Sequence, residues 1–283
     1  MPGPATASSQ RLPHRGTAAT GRWMPALLEA AASAGTLPRQ DAPAAPPLLS
    51  VVIPLRNEAE NIGPLIAEIE AALPGIEHEI VCVDDGSADG TGAALAAAAA
   101  VAPVRALRHR RSFGQSAAIV TGVKAARGFW IATLDGDGQN DPADIPRLLR
   151  RAMAESPGGA PVLIVGHRTR RRDGLVKRAT SRIANGVRAW ALRDATPDTG
   201  CGLKVLPRAL FLELPHFDHM HRFLPALVLR QGGRVASEPV NHRPRLRGRS
   251  NYGTLDRLAV SLFDLVGVAW LQRRWKRPEI EQP

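Results

Sequence analysis

The sequence has few of the residues that common metal, redox and nucleic-acid sites require. It contains two cysteines, Cys82 and Cys201, which stand far apart in the chain. Because no CxxC pair is present, a zinc or redox motif is disfavoured and two buried structural cysteines are expected. Aromatic residues make up only 4% of the chain and Tyr252 is its single tyrosine, so no aromatic platform for stacking bases is predicted.

The sequence also lacks a long uninterrupted apolar run. The best candidate, residues 258–271, is about 14 residues long and contains Asp264, whereas a membrane span needs roughly 20 apolar residues. No secretory signal is visible in residues 1–47, whose Ala- and Pro-rich composition predicts a disordered tail. These features predict a protein that is soluble or peripheral to a membrane, not integral.

Glycine-rich phosphate loops are missing as well. The chain has neither a P-loop nor a GxGxxG fingerprint, so a nucleotide diphosphate would be held by a metal and by arginines. His216, His219 and His221 lie close together in the sequence, but their spacing does not match a standard zinc site.

Charge is distributed unevenly along the chain. The net charge of +11 is divided into +2 over residues 1–47, −5 over residues 48–149 and +14 over residues 150–283. An acidic half followed by a strongly basic half predicts two tasks, namely holding a cation and meeting an anionic partner. A basic nucleic-acid-binding protein is an alternative, but it does not explain the acidic half.

Apolar periodicity predicts an α/β protein in which strands alternate with helices. The predicted strands are 49–54, 79–83, 104–107, 130–134, 163–165 and 235–241, with a glycine-rich turn into a short strand over 198–205. The predicted helices are 57–73, 89–100, 114–127, 178–192, 223–230 and 255–270. This alternation is typical of βαβ units and predicts a mostly parallel sheet.

Polar clusters follow three of the predicted strands, at residues 56–58, 84–85 and 135–139. The carboxyl ends of parallel strands meet at one edge of a sheet, and ligands bind beyond that edge. The sequence therefore predicts a single binding edge with a strongly acidic character. Taken alone, residues 84–87 fit an ordinary turn with a helix cap at least as well as a nucleotide contact.

The acidic turn 135–139 is the most specific of the three clusters. Asp135 and Asp137 alternate with Gly136 and Gly138, which permit close backbone approach, and Gln139 adds a neutral oxygen. Such oxygen ligands suit Mg²⁺ or Mn²⁺. The turn lacks the glycine and the glutamate that a calcium EF-hand loop requires. A polar turn that caps the next helix is the alternative, and spacing alone leaves both open.

The basic half contains three arginine-rich clusters, at residues 168–172, 177–182 and 243–249. A charge run is usually a solvated surface, but three beside an acidic edge favour a phosphate or an anionic lipid. Residues 255–270 repeat apolar side chains at helical spacing, and residues 273–277 then combine tryptophan with cations. This pattern predicts a helix at a membrane interface, and a helix packed on the core with a basic tail is the alternative.

Three motifs together form an ordered set that resembles the family 2 glycosyltransferases. They read VIPLRNE at 52–58, VDDGS at 83–87 and LDGDGQNDP at 134–142. The branch that they resemble most is that of the dolichyl-phosphate mannose synthases and the bacterial polyprenyl-phosphate glycosyltransferases. The resemblance implies a GT-A domain over residues 48–254. Composition and apolar spacing predict the disordered tail of residues 1–47 before it and the membrane-interface helix and tail of residues 255–283 after it.

The resemblance also implies an inverting transfer from GDP-mannose or a UDP-sugar, with Mg²⁺ or Mn²⁺ as the cofactor. Asp135, Asp137, Arg168 and Arg182 are implied as catalytic residues, the two arginines meeting the acceptor phosphate. Asp137 and Gln139 are implied as the metal ligands. The implied donor-binding residues are Pro54, Arg56, Glu58, Val83, Asp85, Asp135, Gly136, Lys204 and Arg245.

An acceptor phosphate is already ionised near neutral pH, so transfer to a polyprenyl phosphate needs no strong general base. Transfer to a sugar hydroxyl of a glycan or lipid core is the alternative, and Asp198 is the one candidate base for it. The expected location is cytoplasmic, peripheral on the cytoplasmic face of the membrane. The expected partners are a nucleotide sugar, a polyprenyl phosphate, a membrane surface and a membrane-anchoring protein, with no nucleic acid.

Overall fold

A computed structural model of the chain describes residues 45–168, 186, 188, 189, 191–244, 254–274 and 276. Of helix 254–274, the side chains are described from Leu262 onward. The predicted tail therefore lies almost wholly outside the described residues, as do Arg182, Arg245 and most of the arginine-rich clusters. No helix within the described part is long and apolar enough to cross a membrane.

Seven strands and seven α-helices are described from end to end, and residues 186, 188, 189, 191 and 192 are helical as well. The strands are β1 (Leu49–Leu55), β2 (His78–Asp84), β3 (Val104–Arg108), β4 (Trp130–Thr133), β5 (Val162–Arg168), β6 (Lys204–Pro207) and β7 (Arg234–Val240). The helices are α1 (Ala59–Ala72), α2 (Thr91–Ala99), α3 (Gln115–Ala125), α4 (Ile145–Glu155), α5 (Arg208–Glu213), α6 (Leu224–Arg230) and α7 (Thr254–Arg274).

The strands form one sheet in the order β3-β2-β1-β4-β6-β5-β7. β1 pairs in parallel with both β2 and β4, and β5 pairs in parallel with β7. β6 alone is antiparallel, and it lies between β4 and β5. The expectation of a mostly parallel α/β sheet is confirmed.

Helices cover both faces of the sheet, which explains why β1 is a continuous apolar run. Successive side chains of a strand point to opposite faces, so Val51 and Ile53 join one core and Val52 joins the other. The first core includes apolar side chains of α1, α2 and α4. The second includes those of α3, α5 and α6, together with Val268 of α7.

The helix-cap alternative for the acidic turn is also present in the structure. The side chain of Asp141 accepts a hydrogen bond of 3.0 Å from the Ala143 amide and caps a short 3₁₀ turn, Pro142–Asp144, that leads into α4. This cap uses Asp141 and leaves the positions of Asp135 and Asp137 to be explained by another role. The short helix α5 was not predicted, because six residues are too few for a helical period to stand out.

Candidate active site

The ends of β1, β2 and β4 meet at one edge of the sheet, as predicted. Direct hydrogen bonds join the first two ends. The Asn57 amide donates to the Ser87 hydroxyl at 2.9 Å, and the Ala88 amide donates to Oδ1 of Asn57 at 2.9 Å. Asn57 has a φ of 57°, a left-handed conformation that asparagine tolerates better than most residues. The two loops therefore hold each other in place beside the acidic turn.

Asp135 follows β4 and lies against a glycine from another part of the chain. A Cβ atom added to Gly202 would lie 2.2 Å from Oδ2 of Asp135, so only glycine fits there. Gln115, the first residue of α3, donates from Nε2 to Oδ1 of Asp135 at 2.8 Å. Burial and the nearby negative charge of Asp137 raise the pKa of Asp135 to about 6, although Lys204 and Arg168 act in the opposite direction.

Two cations from the second half of the chain complete this centre. Lys204 begins β6 and is buried, and its ammonium group donates to the Cys201 carbonyl. Burial lowers the pKa of Lys204, and the carboxylates of Asp135 and Asp198 counteract this only in part. Arg168 ends β5 and forms a two-point pair with Asp198, with Nε–Oδ2 at 2.6 Å and Nη2–Oδ1 at 2.8 Å. The acidic turn therefore lies near two basic side chains, the buried Lys204 and the partly exposed Arg168.

Hydrogen bonds within the turn and from the segment that follows β7 fix the positions of Asp137 and Gln139. The Gln139 amide donates to Oδ1 of Asp137 at 3.1 Å. The Gln139 carbonyl accepts a bond of 2.9 Å from the Arg243 amide. The Arg243 guanidinium reaches Glu68 at 2.7 Å and Asp141 at 2.6 Å. The arginine-rich loop that contains Arg245 thus starts beside the acidic turn, although Arg245 itself lies outside the described residues.

Asp85, predicted to bind the donor, has a different environment. Its two oxygens accept four hydrogen bonds, all between 2.7 and 2.9 Å, from His109, Ser112, Phe113 and Gly114. Burial would raise the pKa of Asp85, but these bonds outweigh burial and hold the pKa below its ordinary value. A carboxylate has about four acceptor positions. A direct bond to a nucleotide base or ribose would therefore have to displace one of these donors.

The other predicted donor contacts lie at the same edge. Arg56 is exposed, Pro54 and Glu58 are partly exposed, and Val83 is buried in β2. The Glu58 amide donates to the Thr91 hydroxyl at 3.1 Å, so the start of α1 is fixed to α2. Gly136 fits closely, because an added Cβ would lie 2.3 Å from Cδ2 of Leu55. Val83 is fully buried, and its Cγ2 would lie 3.2 Å from a Cβ atom added to Gly122 of α3, so its role as a donor contact stays a prediction.

The sequence prediction missed three parts of this centre. Gln115 and Gly202 both contact Asp135, and Ser116 lies 2.7 Å from Nδ1 of His221. Burial holds the pKa of His221 well below its ordinary value, which favours the neutral ring, and Nδ1 shares a hydrogen bond with the Ser116 hydroxyl. The sequence features nearest to these residues are the glycine-rich turn 198–205, which contains Gly202, and the predicted helix start at 114, which precedes Gln115 and Ser116. Neither signal shows which side chain meets Asp135.

The three clustered histidines have separate partners in the described structure. His221 pairs with Ser116, His219 lies 3.2 Å from Asp264, and the ring of His216 packs beside Phe211. Among the described residues, no group of three or more His, Cys, Asp or Glu side chains is arranged to hold a metal ion. A divalent cation at the acidic turn would need further ligands from a substrate or water, as Mg²⁺ sites commonly do.

The chemistry of the acidic turn nevertheless fits a divalent cation. Asp135 and Asp137 are close enough for one negative charge to raise the pKa of the other carboxyl, and a cation relieves such repulsion. Gln139 stands at the same turn with its side-chain amide 3.5 Å from the Arg243 carbonyl. Carboxylate and amide oxygens are the hard ligands that Mg²⁺ and Mn²⁺ prefer.

Solved structures identify the fold. Mannosyl-3-phosphoglycerate synthase from Rubrobacter xylanophilus matches with a TM-score of 0.61 and 19% identity, over 84% of this chain and 79% of that one. Glucosyl-3-phosphoglycerate synthase from Mycobacterium tuberculosis, solved with Mg²⁺ and UDP, matches with a TM-score of 0.58 and 19% identity, over 80% and 79%. The fold is therefore the GT-A fold of nucleotide-sugar transferases.

Sequence comparison then gives the family. The family model described as Glycosyl transferase family 2 matches residues 50–211, and the chain belongs to this family. It is 35% identical to the dodecaprenyl-phosphate galacturonate synthase of Rhizobium johnstonii, over 81% of this chain and 69% of that protein. It is also 35% identical to the undecaprenyl-phosphate 4-deoxy-4-formamido-L-arabinose transferase of Pseudomonas fluorescens, over 77% and 64%. The chain thus spans about two thirds of the length of these relatives and is a glycosyltransferase.

Proposed function

We propose that this enzyme transfers a sugar from a nucleotide diphosphate donor, such as GDP-mannose or a UDP-sugar, to the phosphate of a polyprenyl phosphate. The names of the two relatives supply the acceptor class. The observation that carries the proposal is the pair of basic side chains near Asp135, the buried Lys204 and the partly exposed Arg168, both of which lower its pKa. Fixed cations beside a reaction centre suit an anionic acceptor and a leaving diphosphate.

The environment of Asp198 favours a phosphate acceptor over a hydroxyl acceptor. A hydroxyl must lose a proton to a general base, and Asp198 was the candidate for that role. Its carboxylate instead holds the Arg168 guanidinium at two points. An ionised phosphate needs no such base, so the Arg168–Asp198 pair acts by fixing a cation in position.

The other side chains at this edge of the sheet are assigned to three roles, namely binding the metal, orienting the donor sugar and attracting phosphates. Asp137 and Gln139 would hold Mg²⁺ or Mn²⁺, which supplies charge neutralisation for the leaving diphosphate. Asp135, with Gln115 and Gly202 against it, orients the donor sugar toward the acceptor side. Lys204 and Arg168, together with Arg182 and Arg245, attract the phosphates of acceptor and donor.

A cavity beside α3 suits the carbon chain of the acceptor. It has a volume of about 320 Å³, and its lining includes Phe113, Val120 and Phe217. Ser116, next to Gln115 on α3, also lines it and joins it to the buried His221. We place the first isoprene units here, and we place the reaction at the cytoplasmic face of the membrane, where a membrane-anchoring protein is a further expected partner.

Labelled GDP- and UDP-sugars, undecaprenyl phosphate in detergent and Mg²⁺ or Mn²⁺ test this function. We expect label from at least one donor to enter an acid-labile lipid phosphate. Asp137→Asn removes one negative charge with little change of shape and should lower kcat by about 100-fold or more. Glu77→Gln makes the same charge change at the opposite edge of the sheet and should leave kcat unchanged.

Two results would contradict the proposal. Label that enters a glycan or lipid hydroxyl but no lipid phosphate would support the alternative acceptor. An Asp137→Asn enzyme as active as Glu77→Gln at limiting metal would remove the metal assignment.

A further inference from the structure

The last helix, α7, has one face that belongs to the core. Val268 is buried, and Leu265 and Ala269 pack against the same core cluster. Gln272 donates from Nε2 to the carbonyls of Leu192 at 3.0 Å and of Ala226 at 3.1 Å. This part of the helix is therefore fixed to the domain.

A second face of α7 is apolar and exposed. Leu262, Phe263, Val266 and Trp270 are 61%, 82%, 64% and 57% exposed. With roughly 100° of rotation per residue, these four side chains fall within an arc of about 100° and cover about 12 Å of helix. They make up half of the large apolar side chains that are exposed in the described part of the chain, whereas the other four belong to different elements. Such a contiguous patch marks an interaction surface.

The charges around this outward face indicate what kind of partner binds to it. Arg273 and Arg274 end the helix, and they and Lys276 are exposed. The Arg274 guanidinium lies 5.9 Å from the centre of the Trp270 ring, so a cation stands directly beside the apolar row. Asp264 is the one acidic side chain between Leu262 and Lys276, and it is turned toward the domain, 3.2 Å from His219. The outward face therefore carries no negative charge over these residues.

We infer that the outward face of α7 docks the enzyme on an anionic lipid surface. Leu262, Phe263, Val266 and Trp270 enter the boundary between headgroups and acyl chains, and Arg273, Arg274 and Lys276 contact lipid phosphates. A protein occupant would be expected to offer acidic or polar groups to these cations. The experiment below includes a second copy of this chain as an alternative occupant. The inference deepens the proposed function, since a polyprenyl phosphate resides in such a surface.

The test uses purified full-length protein and sedimentation with vesicles that contain no polyprenyl phosphate. We expect binding to vesicles of phosphatidylcholine with phosphatidylglycerol, weaker binding to phosphatidylcholine alone, and loss of the difference at high salt. The double variant Phe263→Ser/Trp270→Ser should lose affinity for both kinds of vesicle, by about tenfold or more. Val101→Ser/Met153→Ser, which changes two exposed apolar residues elsewhere, should bind like the parent protein.

A second variant separates charge from apolar insertion. Arg273→Gln/Arg274→Gln should lose the preference for phosphatidylglycerol and retain the weaker binding to phosphatidylcholine. Absence of vesicle binding by the parent protein, or equal binding by Phe263→Ser/Trp270→Ser, would overturn the inference. Self-association that the same double variant abolishes, without vesicle binding, would identify a second copy as the occupant and overturn it as well.

The enzymatic proposal is distinguished by a parallel assay in detergent. There Phe263→Ser/Trp270→Ser should transfer sugar to a short-chain polyprenyl phosphate at the parental rate, because docking is not needed. Vesicle binding without sugar transfer to any polyprenyl phosphate would support the docking surface and contradict the proposed acceptor.

Discussion

Asp85 and Asp135 occupy equivalent places at the ends of β2 and β4, yet their surroundings are opposite. Asp85 receives four hydrogen bonds from its own chain, and its pKa is held below the ordinary value. Asp135 receives one from Gln115, and burial and Asp137 raise its pKa to about 6. Position in the fold is therefore a poor guide to the role of a carboxylate, and the number of donors around it is a better one.

The comparison separates a structural carboxylate from a functional one. Asp85 fixes the loop 109–114, which places Gln115 at the start of α3 and thereby against Asp135. The raised pKa of Asp135 means that its negative charge is only partly stabilised by Lys204, Arg168 and Gln115, which is common where a ligand or a cation is bound. We propose that the two residues have different roles, in which Asp85 holds the loop and Asp135 contacts the substrate.

Gly202→Ala should have the largest effect on the functional side of this comparison. The new methyl group would stand 2.2 Å from Oδ2 of Asp135 and would displace that carboxylate. We expect kcat/KM for sugar transfer to fall by about 100-fold or more, since small displacements of reacting groups have effects of this size. Gly63→Ala in α1 is the control, because the added Cβ would meet no atom within 4 Å beyond its own helix backbone and chain neighbours, and it should keep full activity. Parental activity in Gly202→Ala would show that the position of Asp135 is not critical.

Asp85→Ala should have the largest effect on the structural side. It leaves four donors without their acceptor, and we expect the free energy of unfolding to fall by about 3 kcal/mol. Urea denaturation measures this, with Glu77→Ala as the exposed control. Because the pKa of Asp85 is lowered, its contribution is present above its ordinary pKa of 3.8 and is lost as the pH falls through the folded-state pKa. Unchanged stability with lost donor binding would assign Asp85 to the donor instead.

Asp135→Asn should change the free energy of unfolding less than Asp85→Ala does, and it should raise that free energy. The pKa of Asp135 is raised from 3.8 to about 6, so its ionisation opposes folding, and stability decreases as the pH rises through this window. We expect the variant to be more stable than the parent at pH 7.5, on the order of 1 kcal/mol, because loss of the countercharge to Lys204 offsets part of the gain. The gain should vanish near pH 4. Thermal unfolding at both pH values measures it, and destabilisation at pH 7.5 would contradict the assigned environment.

Much of the fold could be predicted from the sequence because its first half obeys local rules. The strands β1, β2 and β4 are short apolar runs separated by helices, and the polar clusters that follow them meet at one edge as expected. The acidic turn followed β4, as predicted. Pattern and chain order suffice for such features, since each βαβ unit places its own strand end beside the previous one.

The site could not be completed in this way, because its other half depends on long-range pairing. Lys204 and Gly202 reach Asp135 only because β6 inserts antiparallel between β4 and β5, and no local pattern specifies that insertion. The pairing of Arg168 with Asp198 and the four donors of Asp85 likewise join residues far apart in sequence. Sequence position identified Asp85 as polar and strand-terminal, but not that its own loop uses its oxygens.

The placement of β6 also has a consequence for how the chain acquires its structure. Until residues 204–207 pair with β4, that strand presents an open edge of hydrogen-bonding groups at the centre of the future sheet. The pairing that closes this edge also brings Gly202 and Lys204 to Asp135. One strand therefore both protects the centre of the sheet from association with other chains and supplies part of the surroundings of the acidic turn.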